Sequence, residues 1–117
     1  MNQRISAKIY GLVRRNHEIL VEKIRESDGT LKCYRPLGGT LNFGETSQAG
    51  LRREFQEELG TDITILSLYC VAEEIYAYRG QAGHQVAFVY DIELSDKSLY
   101  DVNNIRRIDG DQTVKPD

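Results

Sequence analysis

Apolar and polar residues alternate along the early part of the chain with the period of two that marks half-buried strands. Ser6 to Arg14 carries Ile9, Tyr10, Leu12 and Val13, and Glu18 to Arg25 carries Ile19, Val21 and Ile24. The polar Arg15-Asn16-His17 between them predicts a hairpin. Asp28-Gly29 marks a second turn, and Leu31 to Arg35 reads as a third short strand. The run from Pro36 to Gly44 is predicted to be an irregular loop, because clustered glycine and proline interrupt regular structure. Residues 47–59 then change period. Leu51, Phe55 and Leu59 recur every four residues as a narrow apolar stripe, Thr46 is placed to cap the helix, and Gly60 to end it. Two longer strands follow. Ile63 to Tyr78 is long enough that a break is expected, and Gln85 to Leu94 is joined to it through Arg79 to Gly83. Ser95 to Tyr100 suits a helical turn. The polar tail from Asp101 holds Val102, Ile105 and Ile108 as the only signs of another strand. One helix among several strands predicts an α+β domain built on a mixed sheet.

Composition narrows the function classes. At 117 residues the chain is read as one domain, residues 1–117, with an adequate but modest core. The net charge of −3 gives no electrostatic grip on a nucleic-acid polymer, although a single nucleotide balanced by a metal ion stays open. No apolar run is long enough to span a membrane, and Met1-Asn2-Gln3-Arg4-Ile5 lacks the core of a signal peptide, so a cytoplasmic protein is expected. Cys33 and Cys70 form no metal-ligand spacing and are expected to be buried, reduced thiols.

The chemistry concentrates between Gly38 and Gly60. Glu54, Glu57 and Glu58 are separated by three and four residues, so they share a helix face. Their mutual repulsion costs about 0.2–0.5 kcal/mol per like-charged pair in an isolated helix. Alone, such a face is most simply solvated, and Arg53 with Glu57 is an ordinary salt bridge. Hard divalent cations, however, prefer oxygen ligands of this kind. The preceding Gly38, Gly39 and Gly44 allow close backbone approach to a ligand. Glu45 sits at the entrance to the helix, where Arg53 can hold it in a two-pronged hydrogen bond. Arg35, just before the loop, is a candidate for a substrate phosphate. Tyr34, Tyr76 and Tyr78 are candidates for stacking on a base, although core packing explains them as well. His84 is read as structural.

The segment GGTLNFGETSQAGLRREFQEELG resembles the box of the Nudix family, G-x5-E-x7-R-E-U-x-E-E-x-G-U, where U is aliphatic. Gly39, Glu45, Arg53, Glu54, Glu57, Glu58 and Gly60 fall on its seven fixed letters without a gap. At roughly one in twenty per letter, chance agreement at one register is about 10⁻⁹. The departures are Thr61 at the last aliphatic position, the bulky Phe55, Leu37 between Pro36 and the glycine pair, and Gly50 where alanine is usual. The glycine costs a helix about 1 kcal/mol. None of them removes a presumed ligand.

The resemblance implies the Nudix fold, a mixed β-sheet sandwiched between helices. The family's C-terminal helix is expected to be missing here and the chain to be truncated at its C-terminus, which leaves one sheet face either exposed or covered by a second copy in a homodimer. It also implies a pyrophosphohydrolase that converts a nucleoside diphosphate linked to a group X into a nucleoside monophosphate and phosphorylated X. By the same resemblance, Glu54, Glu57, Glu58 and the Gly39 carbonyl hold Mg²⁺, or Mn²⁺ in its place. Glu54 is the nominated base, Arg53 and Glu45 brace the site, and Arg35 and Tyr76 are expected to meet substrate. Two alternatives share the box: a non-catalytic nucleotide-binding domain that regulates a partner, and a decapping-type enzyme acting on RNA ends.

Overall fold

Strands β1 (Ser6–Arg15) and β2 (Glu18–Arg25) stand where the alternation predicts them. They turn through Asn16, at φ 57°, a left-handed conformation that asparagine tolerates. The structure, a computed structural model, describes residues 3–106 and 113–116. Strand β3 (Leu31–Thr40) runs on through Pro36, Leu37 and the glycine pair, in place of the irregular loop that local sequence predicts. Tertiary pairing overrides local propensity here. Leu37 to Thr40 lie antiparallel to Lys8 to Gly11 of β1, whereas Leu31 and Cys33 to Pro36 pair with β2. A methyl group added at Gly38 would sit only 1.8 Å from the Ile9 carbonyl oxygen, so close strand packing requires the glycine.

Helix α1 (Ser47–Leu59) has the predicted limits. The Thr46 side chain accepts from the Ala49 amide, and Gly60, at φ 67°, returns its amide to the Gln56 carbonyl. Strands β4 (Ile63–Tyr78) and β5 (Gln81–Leu94) form a long hairpin. The expected five-residue loop between them is instead a two-residue turn, because Arg79 and Gly80 both take positive φ, which matches the twist of the flanking strands. The expected break in β4 appears as two register shifts, between Ile65 and Ser67 and between Leu68 and Cys70. A 3₁₀ turn over Lys97–Asp101 and short strands β6 (Ile105–Arg106) and β7 (Thr113–Pro116) complete the described residues. Ile108 lies outside them.

The sheet order is β4-β5-β1-β3-β2-β7-β6, with β1 parallel to β5 and the other neighbours antiparallel. It is the expected α+β mixed sheet. Helix α1 covers one face, burying Leu51 and Phe55 against Ile9, Leu37, Ile92 and Leu94. Among the described residues no second α-helix covers the opposite face. The cysteine expectation is corrected: Cys33 and Cys70 are unpaired, but both are exposed. Cys33 lies on the half of β3 that extends away with β2, and Cys70 lies on the edge strand β4, so neither is under the helix. Tyr34, Tyr76 and Tyr78 are also exposed rather than core residues. No described helix is long and apolar enough to cross a membrane.

Candidate active site

The turn from β3 into α1 brings the box residues together. Gly44, at φ 91°, reverses the chain so that Glu45 folds back on it. The Glu45 amide donates to the Asn42 carbonyl, and the Asn42 amide donates to Glu45 Oε1 at 2.9 Å. Arg53 reaches the same carboxylate from the helix. Its Nη2 lies 2.7 Å from Glu45 Oε1 and its Nε 3.1 Å from Oε2, the predicted two-pronged bond. The guanidinium also donates to the Thr40 carbonyl at 3.2 Å, to Glu54 at 3.0 Å, and to Glu57 at 3.3 and 3.4 Å. One side chain thus ties the end of β3, the turn and two helix carboxylates into a unit. The Arg53 hydrogen bond, with help from the Asn42 backbone, holds the Glu45 carboxyl below the usual carboxylate range. The Glu45 bond in turn raises the already high pKa of Arg53.

The three helix carboxylates differ in access. Glu58 is 2% exposed, the Glu54 side chain 13%, and the Glu57 side chain 51%. They grade from solvent to the buried side of the helix. A methyl group on Gly39 would sit 2.5 Å from Glu54 Oε1, so this glycine lets the Glu54 carboxylate lie directly on the strand backbone. Gly50 has a similar explanation. A methyl there would press on Leu41, Ile9 and Glu45 Oε1 at 2.7–2.8 Å, so the departure from alanine serves close packing of helix on sheet. Thr61 also explains itself: its hydroxyl accepts from the Asp96 amide and donates to the Asp62 carbonyl, both at 2.9 Å.

The donors suit a hard divalent cation, since they are carboxylate and carbonyl oxygens on a rigid helix and strand. Among the described residues, no three acidic, histidine or cysteine side chains already converge on one point. Arg53 stands between Glu54 and Glu57, so the fit lies in donor type and placement rather than in a closed cage.

The other predicted site residues lie elsewhere. Arg35 is on β3 outside the Arg53 network, with its guanidinium carbon 6.0 Å from the centre of the Tyr10 ring. The Tyr76 ring lies across Gly83 at the β4–β5 hairpin, beside a groove of about 670 Å³ with no box residue in its lining. Sequence reasoning missed the Thr40 carbonyl and Lys8. Lys8 Nζ donates to Thr40 Oγ1 at 2.8 Å, a contact set by β1–β3 register and without any local signal.

A family model for the NUDIX domain matches residues 2–106. The chain belongs to the Nudix family. Among solved structures, this Nudix domain is similar to a MutT NUDIX hydrolase from Burkholderia pseudomallei, with 24% identity and a TM-score of 0.73 over 97% of this chain and 83% of that one. It also resembles a UDP-X diphosphatase at 14% identity and TM-score 0.69, covering 99% of this chain and 52% of that one. An ADP-ribose pyrophosphatase from Streptococcus suis aligns with 14% identity and a TM-score of 0.54, over 77% and 60% of the two chains. At these identities the likenesses establish the fold alone. No match was found among curated proteins. Membership of the family, with all seven box letters in place, makes the chain a Nudix-type pyrophosphohydrolase.

Proposed function

We propose that the protein cleaves the diphosphate of a nucleoside diphosphate linked to a small group X. Water attacks one phosphorus, the bridging P–O bond breaks, and the products are a nucleoside monophosphate and phosphorylated X. The reading is carried by one observation: Arg53 gathers Glu45, Glu54, Glu57 and the Thr40 carbonyl at the junction of strand, turn and helix. The UDP-X and ADP-ribose enzymes of similar fold support the substrate class.

Glu54, Glu57, Glu58 and the Gly39 carbonyl are the residues we assign to Mg²⁺, with Mn²⁺ as a substitute. Such an ion supplies charge neutralisation at the diphosphate and eases formation of hydroxide from water. Glu54, held at the strand by the Gly39 gap, is the group we assign to receive the water's proton. Arg53 and Glu45 position it and keep the turn closed on the helix, so the carboxylates are ordered before substrate arrives. The unpaired Cys33 and Cys70 are compatible with a reducing, cytoplasmic setting.

A second copy of the chain is the partner we propose for the β4 edge. Among the described residues this strand pairs only with β5, and it exposes Leu68, Val71 and Ile75. An antiparallel edge of this kind can pair with itself about a twofold axis. Light scattering that shows a monomer at high concentration ends that proposal.

A hydrolysis panel of nucleotide sugars, ADP-ribose, dinucleoside polyphosphates and nucleoside triphosphates, with Mg²⁺ and with Mn²⁺, tests the activity. Glu57→Gln should retain the fold and lose turnover by about two decades or more. Equal turnover by the variant removes the assignment, and a panel without any cleavage removes the substrate class.

A further inference from the structure

Five of the described arginines are paired with carboxylates. Arg14 pairs with Asp91, Arg15 with Glu18, Arg52 with Asp62, Arg79 with Glu26, and Arg53 with three glutamates. Arg35 is different. It forms no ion pair among the described residues, and its Nε is buried without a hydrogen-bond partner among them. An Nε–H left like this loses water without replacing it, a cost that an accepting anion removes.

A second cation stands close by. Lys8 and Tyr10 alternate on β1, so their side chains leave the same face of the strand. Arg35 lies against the Tyr10 ring, and Lys8 lies against Thr40 at the start of the turn. Lys8 also makes no ion pair among the described residues. Its ammonium is held below the usual lysine range by burial first and by the charge of Arg35 second, while Glu54 pulls it back up. Lys8, Tyr10 and Arg35 thus lie along one stretch of the β1–β3 pair that ends at the box turn. The strand neighbours add no competing charge: Gly38 is opposite Tyr10 on β3, and Ala87 is beside Lys8 on β5. Acidic groups are near as well. Glu22 lies opposite Arg35 on β2, and Glu74, which acts on Tyr10, accepts from Gln85 Nε2 at 2.8 Å. An anion must therefore carry more than one charge to compete with them.

We propose that Lys8 and Arg35 form a metal-independent subsite for the substrate's diphosphate, with the Tyr10 ring fixing the Arg35 guanidinium by stacking. The identity of the anion rests on the function proposed above. The planar guanidinium fork suits two non-bridging oxygens and the ammonium a third. The subsite would seat the diphosphate against the start of the box before the carboxylates act.

The test is titration calorimetry of the full chain with inorganic diphosphate in excess EDTA. Wild type is expected to bind saturably, and Lys8→Gln and Arg35→Gln each to weaken binding about tenfold or more. Arg35→Lys should recover part of the loss, and Tyr10→Leu should lose affinity through Arg35 alone. With a substrate in hand, the first two variants should raise KM by a larger factor than they lower kcat. Glu57→Gln should do the reverse and bind metal-free diphosphate like wild type. The proposal is overturned if wild type shows no saturable metal-free binding, if folded Lys8→Gln and Arg35→Gln variants bind like wild type, or if orthophosphate binds as tightly as diphosphate. A panel without cleavage alongside intact metal-free binding would retire the proposed reaction and leave the subsite standing.

Discussion

At the scale of single residues the site depends on Arg53 and on what is missing at Gly39. A methyl group at position 39 meets only the far end of the Glu54 side chain, which can swing away. Gly39→Ala is therefore expected to cost little stability, under about 1 kcal/mol, while turnover falls about tenfold or more because Glu54 is displaced. A thermal melt beside a rate assay checks both halves, and parallel loss of stability and rate would contradict the explanation. Glu45 predicts a pH effect. Its folded pKa lies below the ordinary 4.5 because Arg53 and the Asn42 amide favour the ionised form. The stabilisation it gives is therefore complete above that ordinary value and disappears as pH falls through the depressed one. The melting-temperature gap between wild type and Glu45→Gln should close as the solution is acidified below the normal carboxylate range. A gap independent of pH would refute the linkage. The box spacing put Glu45 and Arg53 in reach of each other. The Thr40 carbonyl, Lys8 and the approach of Arg35 to the Tyr10 ring came only from the tertiary fold.

Helix α1 sets intrinsic propensity against packing. Gly50→Ala should gain about 1 kcal/mol from helix propensity. The added methyl, however, approaches Leu41, Ile9 and Glu45 Oε1 within 2.7–2.8 Å in a buried position, and overpacking costs about 1–3 kcal/mol. Net destabilisation is the expected outcome, read as a lower urea midpoint at unchanged slope, and a stabilised variant would show that the helix can move off the sheet. The limits of α1 were legible because Thr46 and Gly60 act on their immediate neighbours. The extent of β3 was not. Its glycines argue locally for a loop, and only the partner strand β1 supplies the hydrogen bonds that keep Leu37 to Thr40 extended.

For the whole molecule, stability rests on one layer of helix over one sheet. Phe55 is fully buried in that layer and touches the space kept open by Gly11. Phe55→Ala should cost about 3–5 kcal/mol, a large share of the roughly 5–15 kcal/mol of a typical domain. Denaturant unfolding measures it directly, and a loss below about 1 kcal/mol would mean that the core lies elsewhere. What the sequence determined by itself was whatever depends on near neighbours along the chain. That includes strand alternation, both ends of the helix, and the box whose fixed spacing places carboxylates and arginine within one turn of each other. What the tertiary structure decided was whatever depends on residues far apart in sequence. Pairing of β1 with β3 brought Lys8 to Thr40, the edge position of β4 left Cys70 and Ile75 exposed, and Arg35 came to rest on Tyr10. Local sequence carries no record of which strands become neighbours, because that choice is made by the burial of the whole sheet under its helix.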